Sequence, residues 1–208
     1  MSANTARQSI LSGAMLGVFA LVGSAVLAFT YLQTHDRIQA NEQAMLRDQL
    51  HVLLPSTRHD NDLISDTLTV TDRAFSASGK PVTVYRARQG GKPVAVIAQV
   101  TAPDGYSGAI DLLVAINTDG SLIGVRVTRH KETPGLGDYI EIERSDWIRV
   151  FENKRLGDPP VEKWKVKKDS GTFDYVAGAT VTPRAIVKAV RKALEYFSAH
   201  REELLAAQ

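Results

Sequence analysis

Val82-Thr83-Val84-Tyr85-Arg86-Ala87-Arg88 runs into Gln89-Gly90-Gly91-Lys92 and then Val94-Ala95-Val96-Ile97-Ala98-Gln99-Val100. Val82, Val84 and Arg86 alternate with Thr83, Tyr85 and Ala87, which is the period of a strand. The two glycines supply the left-handed backbone that a tight hairpin needs. Working outward, Leu68–Val70 is a short strand candidate upstream. Downstream, Ile110–Ile116 and Leu122–Thr128 flank Asn117-Thr118-Asp119-Gly120, a second hairpin signal. At least four strands with short connections predict a mostly antiparallel sheet.

Helices surround that sheet in the pattern. Residues 138–151 (DYIEIERSDWIRVF) read as helical or mixed, with Trp147, Ile148 and Phe151 directed to the core. Lys163-Trp164-Lys165-Val166-Lys167-Lys168 is a basic strand candidate with Trp164 and Val166 inward. Its lysines form either a solvated face or a docking surface for an acidic partner or anionic headgroups. A last helix starts at Pro183, with Thr182 as its N-cap and Ile186, Val187, Val190, Leu194 and Phe197 as its core stripe. Arg184, Lys188 and Arg191 line the opposite face, and the tail from His200 to Gln208 is expected to fray. Sheet and helices together predict an α+β fold.

From Ile10 to Leu32 no residue is charged, a run long enough to cross about 30 Å of hydrocarbon as a helix. A cleaved signal peptide competes, with Val26-Leu27-Ala28 as its cleavage site. The run continues past that point to Tyr31, an interfacial anchor, which favours a retained transmembrane helix. Arg7 on one side and Arg37 and Arg47 on the other do not decide orientation, but the short first segment favours an N-terminus kept inside. His35–Leu54 reads as an amphipathic helix with Ile38, Met45, Gln49, Leu50, Leu53 and Leu54 on one face, ended by Pro55. The expected divisions are a tail at 1–9, the transmembrane helix at 10–32, a juxtamembrane helix at 33–55 and a globular domain at 56–208.

Composition narrows the chemistry. In 208 residues, 25 basic side chains face 23 acidic ones, so no global field invites nucleic acid. There is no cysteine, which removes disulfides, thiolate metal sites and iron–sulfur ligation. No His, Asp and Glu spacing forms a metal site.

Two stretches stand apart. In Asp174-Tyr175-Val176-Ala177-Gly178-Ala179-Thr180, Gly178 and Ala179 leave the backbone open to close approach. Thr180 then places a hydroxyl just before a helix start, where free N–H groups and the positive dipole end favour a phosphate. The second stretch is His130-Lys131-Glu132-Thr133-Pro134-Gly135-Leu136-Gly137-Asp138, a loop of little bulk. Either it is a tight surface turn, or Thr133, Pro134 and Gly135 face a flat aromatic ring with Leu136 as an apolar lid. His130 is a packed or solvated side chain, or a proton donor.

Asp174 to Thr180 resembles the flavinylation motif of covalent FMN proteins, Asp-x-x-(Ser/Thr)-Gly-Ala-Thr, departing from it at Ala177. The resemblance implies FMN joined by a phosphoester to Thr180, installed by a flavin transferase that uses FAD, with Asp174 as the acidic member. Asp104-x-x-Ser107-Gly108-Ala109 nearly copies the motif, but Ile110 has no hydroxyl to carry a phosphate, and this copy reads as a turn entering a strand. Three hydroxyls therefore compete as acceptors, Ser107, Thr180 and Thr182, and the motif favours Thr180. With TAPDGYSGAIDLLV, VTRHKETPGLGDYIE, SDWI and FDYVAGATVTP, the chain resembles the G subunit of the Rnf/Rsx ion-translocating electron-transport complex. That resemblance implies an inner-membrane complex in which this subunit's FMN faces the periplasm and relays electrons between other subunits, with membrane lipid around the helix. The related C subunit of the sodium-pumping NADH:quinone reductase is a second reading. A membrane-tethered interaction module with a vestigial flavin motif is a third.

Overall fold

The computed structural model describes residues 3–76 and 78–206. Its elements in chain order are α1 (Ala3–Leu53), β1 (Thr67–Val70), β2 (Val82–Gln89), β3 (Lys92–Ala102), β4 (Ile110–Asn117), β5 (Leu122–Arg129), α2 (Val181–Ala199) and α3 (Arg201–Leu205). Residues 1–47 and 48–208 form two separate compact units.

In the first unit α1 exposes Leu16, Phe19, Leu21, Leu27 and Leu32 along its length. Ile10–Leu53 is long and apolar enough to cross a membrane, and so large an apolar surface suits hydrocarbon rather than water. The helix continues without a break from the apolar run into His35–Leu53. The amphipathic face expected there is confined to the end. Leu50, Leu53 and Leu54 are buried in the second unit, whereas Ile38 and Met45 are exposed.

The second unit is α+β. Its sheet has five strands in the order β1-β2-β3-β4-β5, every neighbouring pair antiparallel. The Gln89–Lys92 hairpin closes β2 on β3 with Val84 opposite Ala98 and Tyr85 opposite Ile97. That register keeps the two faces distinct. Val84, Val96, Ala98, Leu112, Val114 and Ile116 line one face, against which α2 buries Ile186, Val190, Leu194 and Phe197. Each of those helix side chains contributes about 1.5–3 kcal/mol by leaving water. Tyr85, Ile97, Leu113 and Ala115 are buried on the other face. There Leu53 approaches β5 so closely that a Cβ on Gly124 would stand 3.2 Å from it.

Two expectations fail in instructive ways. Lys163–Lys168 is not a strand. Short 3-10 turns at Val161–Lys163 and Lys167–Asp169 flank Trp164 and Val166, which are nevertheless buried. The region 138–151 is helical and mixed as expected, in short 3-10 turns, with Ile148 and Phe151 in the core and Trp147 half-buried. The tail does not fray through Ala206. α3 buries Leu204, and the Ala206 carbonyl accepts from Arg86 at 3.2 Å and Arg88 at 2.6 Å. Asp66 holds both arginines, each through Nε at 2.7 Å, so a buried cation on a strand has its compensating charge. Gln208 lies outside the described residues.

Candidate functional site

α2 starts earlier than the Thr-Pro signal suggests. Helical geometry begins at Val181, Thr180 occupies the N-cap with αR backbone, and its side chain makes no cap bond. The first helical bond runs from Arg184 N–H to the Thr180 carbonyl at 3.4 Å. Val181 and Thr182 N–H groups precede it, as the leading donors of any helix do. Pro183, without an N–H, is tolerated in that first turn.

Thr182 is therefore not the N-cap. Its buried hydroxyl donates instead to Glu132 Oε2. The reason lies in Glu132 itself, which is 4% exposed. A carboxylate that far from water must collect donors. Its other oxygen accepts the Ser107 N–H at 3.0 Å, and its own N–H donates to His130 Nδ1 at 3.0 Å. Because Nδ1 accepts, the His130 proton sits on Nε2, which donates to Glu141 at 2.6 Å. His130 is thus a packed side chain bonded through both ring nitrogens.

Space around Glu132 is made by glycine. A Cβ on Gly137 would stand 2.9 Å from Glu132 Cβ, and one on Gly105 would stand 3.0 Å from Glu132 Oε1 while overlapping the Gly108 carbonyl. From Glu132 the chain enters a turn in which Leu136 N–H and Gly137 N–H both donate to the Thr133 carbonyl, at 3.1 and 2.8 Å. Gly135 at its tip has φ +75. Thr133, Pro134, Gly135 and Leu136 are all exposed.

The structure brings this loop to the Gly-Ala-Thr stretch. Gly178 has φ +89, and a Cβ there would stand 3.8 Å from Leu136 Cδ1. Tyr175, Val176 and Val181 add exposed apolar surface, while Ala179 and Thr180 are buried. Asp174 points elsewhere. Its carboxylate pairs with Lys167 at 2.5 Å, and its carbonyl accepts the Trp147 indole N–H at 2.8 Å. Tyr139 lies behind the stretch. Burial pushes its hydroxyl up to about 12, tempered by the Val176 backbone and reinforced by Glu132. Arg184, in the first turn of α2, bonds Asp169 at 2.5 and 2.6 Å. That bond holds the Asp169 carboxyl below the usual range and raises the Arg184 guanidinium.

These residues fit a tethered flavin phosphate. Thr180 offers a hydroxyl unused in capping, beside the leading N–H groups of a helix. Gly178 keeps the neighbouring backbone bare, and Leu136 gives an apolar contact for a ring. Glu132 is the member that sequence reading missed. Its signal was an acid set in a loop of otherwise small residues, but burial so complete cannot be read from spacing.

Residues 105–195 match the family model described as the FMN-binding domain, which gives the class of this α+β unit. Residues 1–53 match the model described as the RnfG N-terminal region. Among proteins named as the G subunit of the ion-translocating oxidoreductase complex, that of Pseudomonas aeruginosa is 49% identical over 207 residues, covering 99% of this chain and 96% of its own. Those of Pseudoalteromonas atlantica and Shewanella baltica are each 42% identical, covering 94% and 95% of this chain and 91% and 93% of theirs. The chain belongs to this family, the G subunits of ion-translocating oxidoreductase complexes.

Proposed function

We propose that this protein is the membrane-anchored flavin carrier of an ion-translocating oxidoreductase complex, with FMN joined through a phosphoester to Thr180. The observation that carries the attachment is the Thr180 hydroxyl. It sits at the N-cap of α2, makes no cap bond, and follows a positive-φ glycine packed beside Leu136. Bound flavin supplies the capacity to take and release electrons singly or in pairs. The chain contributes position. The Val181 and Thr182 N–H groups would hold the phosphate, and the exposed Leu136 and Val176 would offer apolar contact to the ring. Ser107 is a poorer acceptor because it precedes Gly108 and leads into a strand. Thr182 is poorer because Glu132 already engages its hydroxyl.

Thr180→Ala is expected to remove covalent flavin completely while leaving a folded protein. Flavin fluorescence of the denatured band and peptide mass spectrometry, after co-expression with a flavin transferase, decide the matter. FMN mapped to Ser107 or Thr182, or kept in Thr180→Ala, overturns the assignment.

The proposed setting is the inner membrane, with α1 retained and the domain from 56 to 208 in the periplasm, where a tether keeps the flavin from being lost. The uncharged run Ile10–Leu32 and the family membership support it. Protease added to intact spheroplasts should degrade the domain. A protected domain, or a mature N-terminus at Phe29, contradicts this topology.

A further inference from the structure

We propose that Glu132 is the positioning residue of the flavin site: its buried side chain clamps the 105–108 turn and the first turn of α2 through its carboxylate, and the Thr133–Gly137 loop through its Cβ, into one arrangement. The proposal rests on Thr180 as the attachment point and adds the group that fixes the surroundings of that point. Glu132 touches each of the three segments by a separate contact. Oε1 takes the Ser107 N–H, Oε2 takes the Thr182 hydroxyl, and the Glu132 Cβ fills the space left by the missing Cβ of Gly137. Each clamped segment displays one large apolar side chain at the surface: Tyr106 at 71% exposure, Leu136 at 43% and Val181 at 40%. One buried anion therefore sets the relative placement of the apolar surface around Thr180.

The energetics favour a clamp over a filler. A hydrogen bond to a charged group is worth about 1.5–3 kcal/mol, and a buried carboxylate stripped of a donor loses more than a neutral acceptor would. Exposed loops of small residues, by contrast, hold themselves weakly. Among the described residues, the hydrogen bonds of the 133–137 turn are its own two to the Thr133 carbonyl. Releasing Glu132 from Thr182 should therefore free the loop and leave the sheet intact.

Thr182→Val keeps the side-chain shape and removes the donor, Thr182→Ser keeps the donor, and Glu132→Gln keeps the shape and removes the charge. In protein made without the transferase, Thr182→Val is expected to speed amide exchange at Leu136 and Gly137 about tenfold. β4 amides should stay as protected as in the wild type. In flavin-loaded protein, Thr182→Val and Glu132→Gln should alter the visible circular dichroism of the flavin. They should also shift its midpoint potential, the charge-removing variant toward more positive values. Thr182→Ser should match the wild type throughout. Unchanged exchange, dichroism and potential in Thr182→Val overturn the clamp, as does Thr182→Ser failing to restore them. Faster exchange spread evenly over the sheet also overturns it, because that would be general destabilisation. Attachment is read separately: flavin retained in Thr180→Ala refutes the attachment site and leaves the exchange result standing.

Discussion

Ser107-Gly108-Ala109-Ile110 and Ala177-Gly178-Ala179-Thr180 differ at their first and last letters and lie on opposite sides of one carboxylate. Both carry a positive-φ glycine, at +126 for Gly108 and +89 for Gly178. Both reach Glu132, the first through Ser107 N–H and the second through Thr182 two residues past its end. Their outcomes diverge at the next residue. Ile110 is fully buried and opens β4, so its backbone groups are committed to pairing with Ala102. Thr180 opens α2, where the leading N–H groups have no helical acceptor. Of the two glycine-alanine turns, only the one followed by a helix leaves leading N–H groups and a hydroxyl without a cap bond.

The two turns differ most at Gly105, which makes the first turn possible. Gly105→Ala would drive a Cβ into the Gly108 carbonyl and to 2.9 Å from Ile110 Cγ1. Overpacking against backbone should cost about 3 kcal/mol. The matching change Gly178→Ala meets nothing nearer than 3.8 Å, so only its left-handed backbone resists, by about 1 kcal/mol. Chemical denaturation of the pair tests the contrast, and equal losses would show that the two turns are not packed differently.

The letter missing from the first turn is a hydroxyl at residue 110. Ile110→Thr completes the motif in the first turn, yet it should carry no flavin, because no helix start follows. It should instead lose about 2 kcal/mol, from the deleted methyl and a buried hydroxyl. Mass spectrometry of Ile110→Thr combined with Thr180→Ala checks this. Flavin on residue 110 would mean that the letters suffice without the helix.

The smallest effect is a pH dependence confined to the second turn. The Tyr139 hydroxyl, held up to about 12 by burial, favours its neutral form in the folded state. Its contribution is fully present below the unfolded value near 10 and is lost as pH rises toward 12. Allowing for partial exposure, about 1 kcal/mol separates the ends of that window. Tyr139→Phe should show a shallower alkaline loss of stability than the wild type between pH 10 and 12. Parallel curves would mean that the phenol is solvated.

How much of this was legible in the sequence follows from how local each signal is. β2 to β5 were readable because alternation and glycine turns act over a few residues. The Gly-Ala-Thr stretch was readable because a turn, a hydroxyl and a helix start are contiguous. Lys163–Lys168 misled because alternating Trp164 and Val166 mimic a strand, although Ser170 at φ 62 belongs to a turn. Thr182 misled for a different reason. Thr-Pro is a sound cap signal, and only Glu132, distant in the chain, diverts the hydroxyl.

That distance also orders assembly in time. Sheet order equals chain order, so each hairpin closes across a short connection, and such contacts form early at little entropic cost. Thr182 meets Glu132 across 50 residues, and Ser107 meets it across 25. The meander should thus be built before the corner around Glu132 is set, and on the attachment proposed above a modifying enzyme would find Thr180 in its final surroundings only on an already folded domain. Pulse-labelled exchange that protected Leu136 before Leu113 would reverse that order.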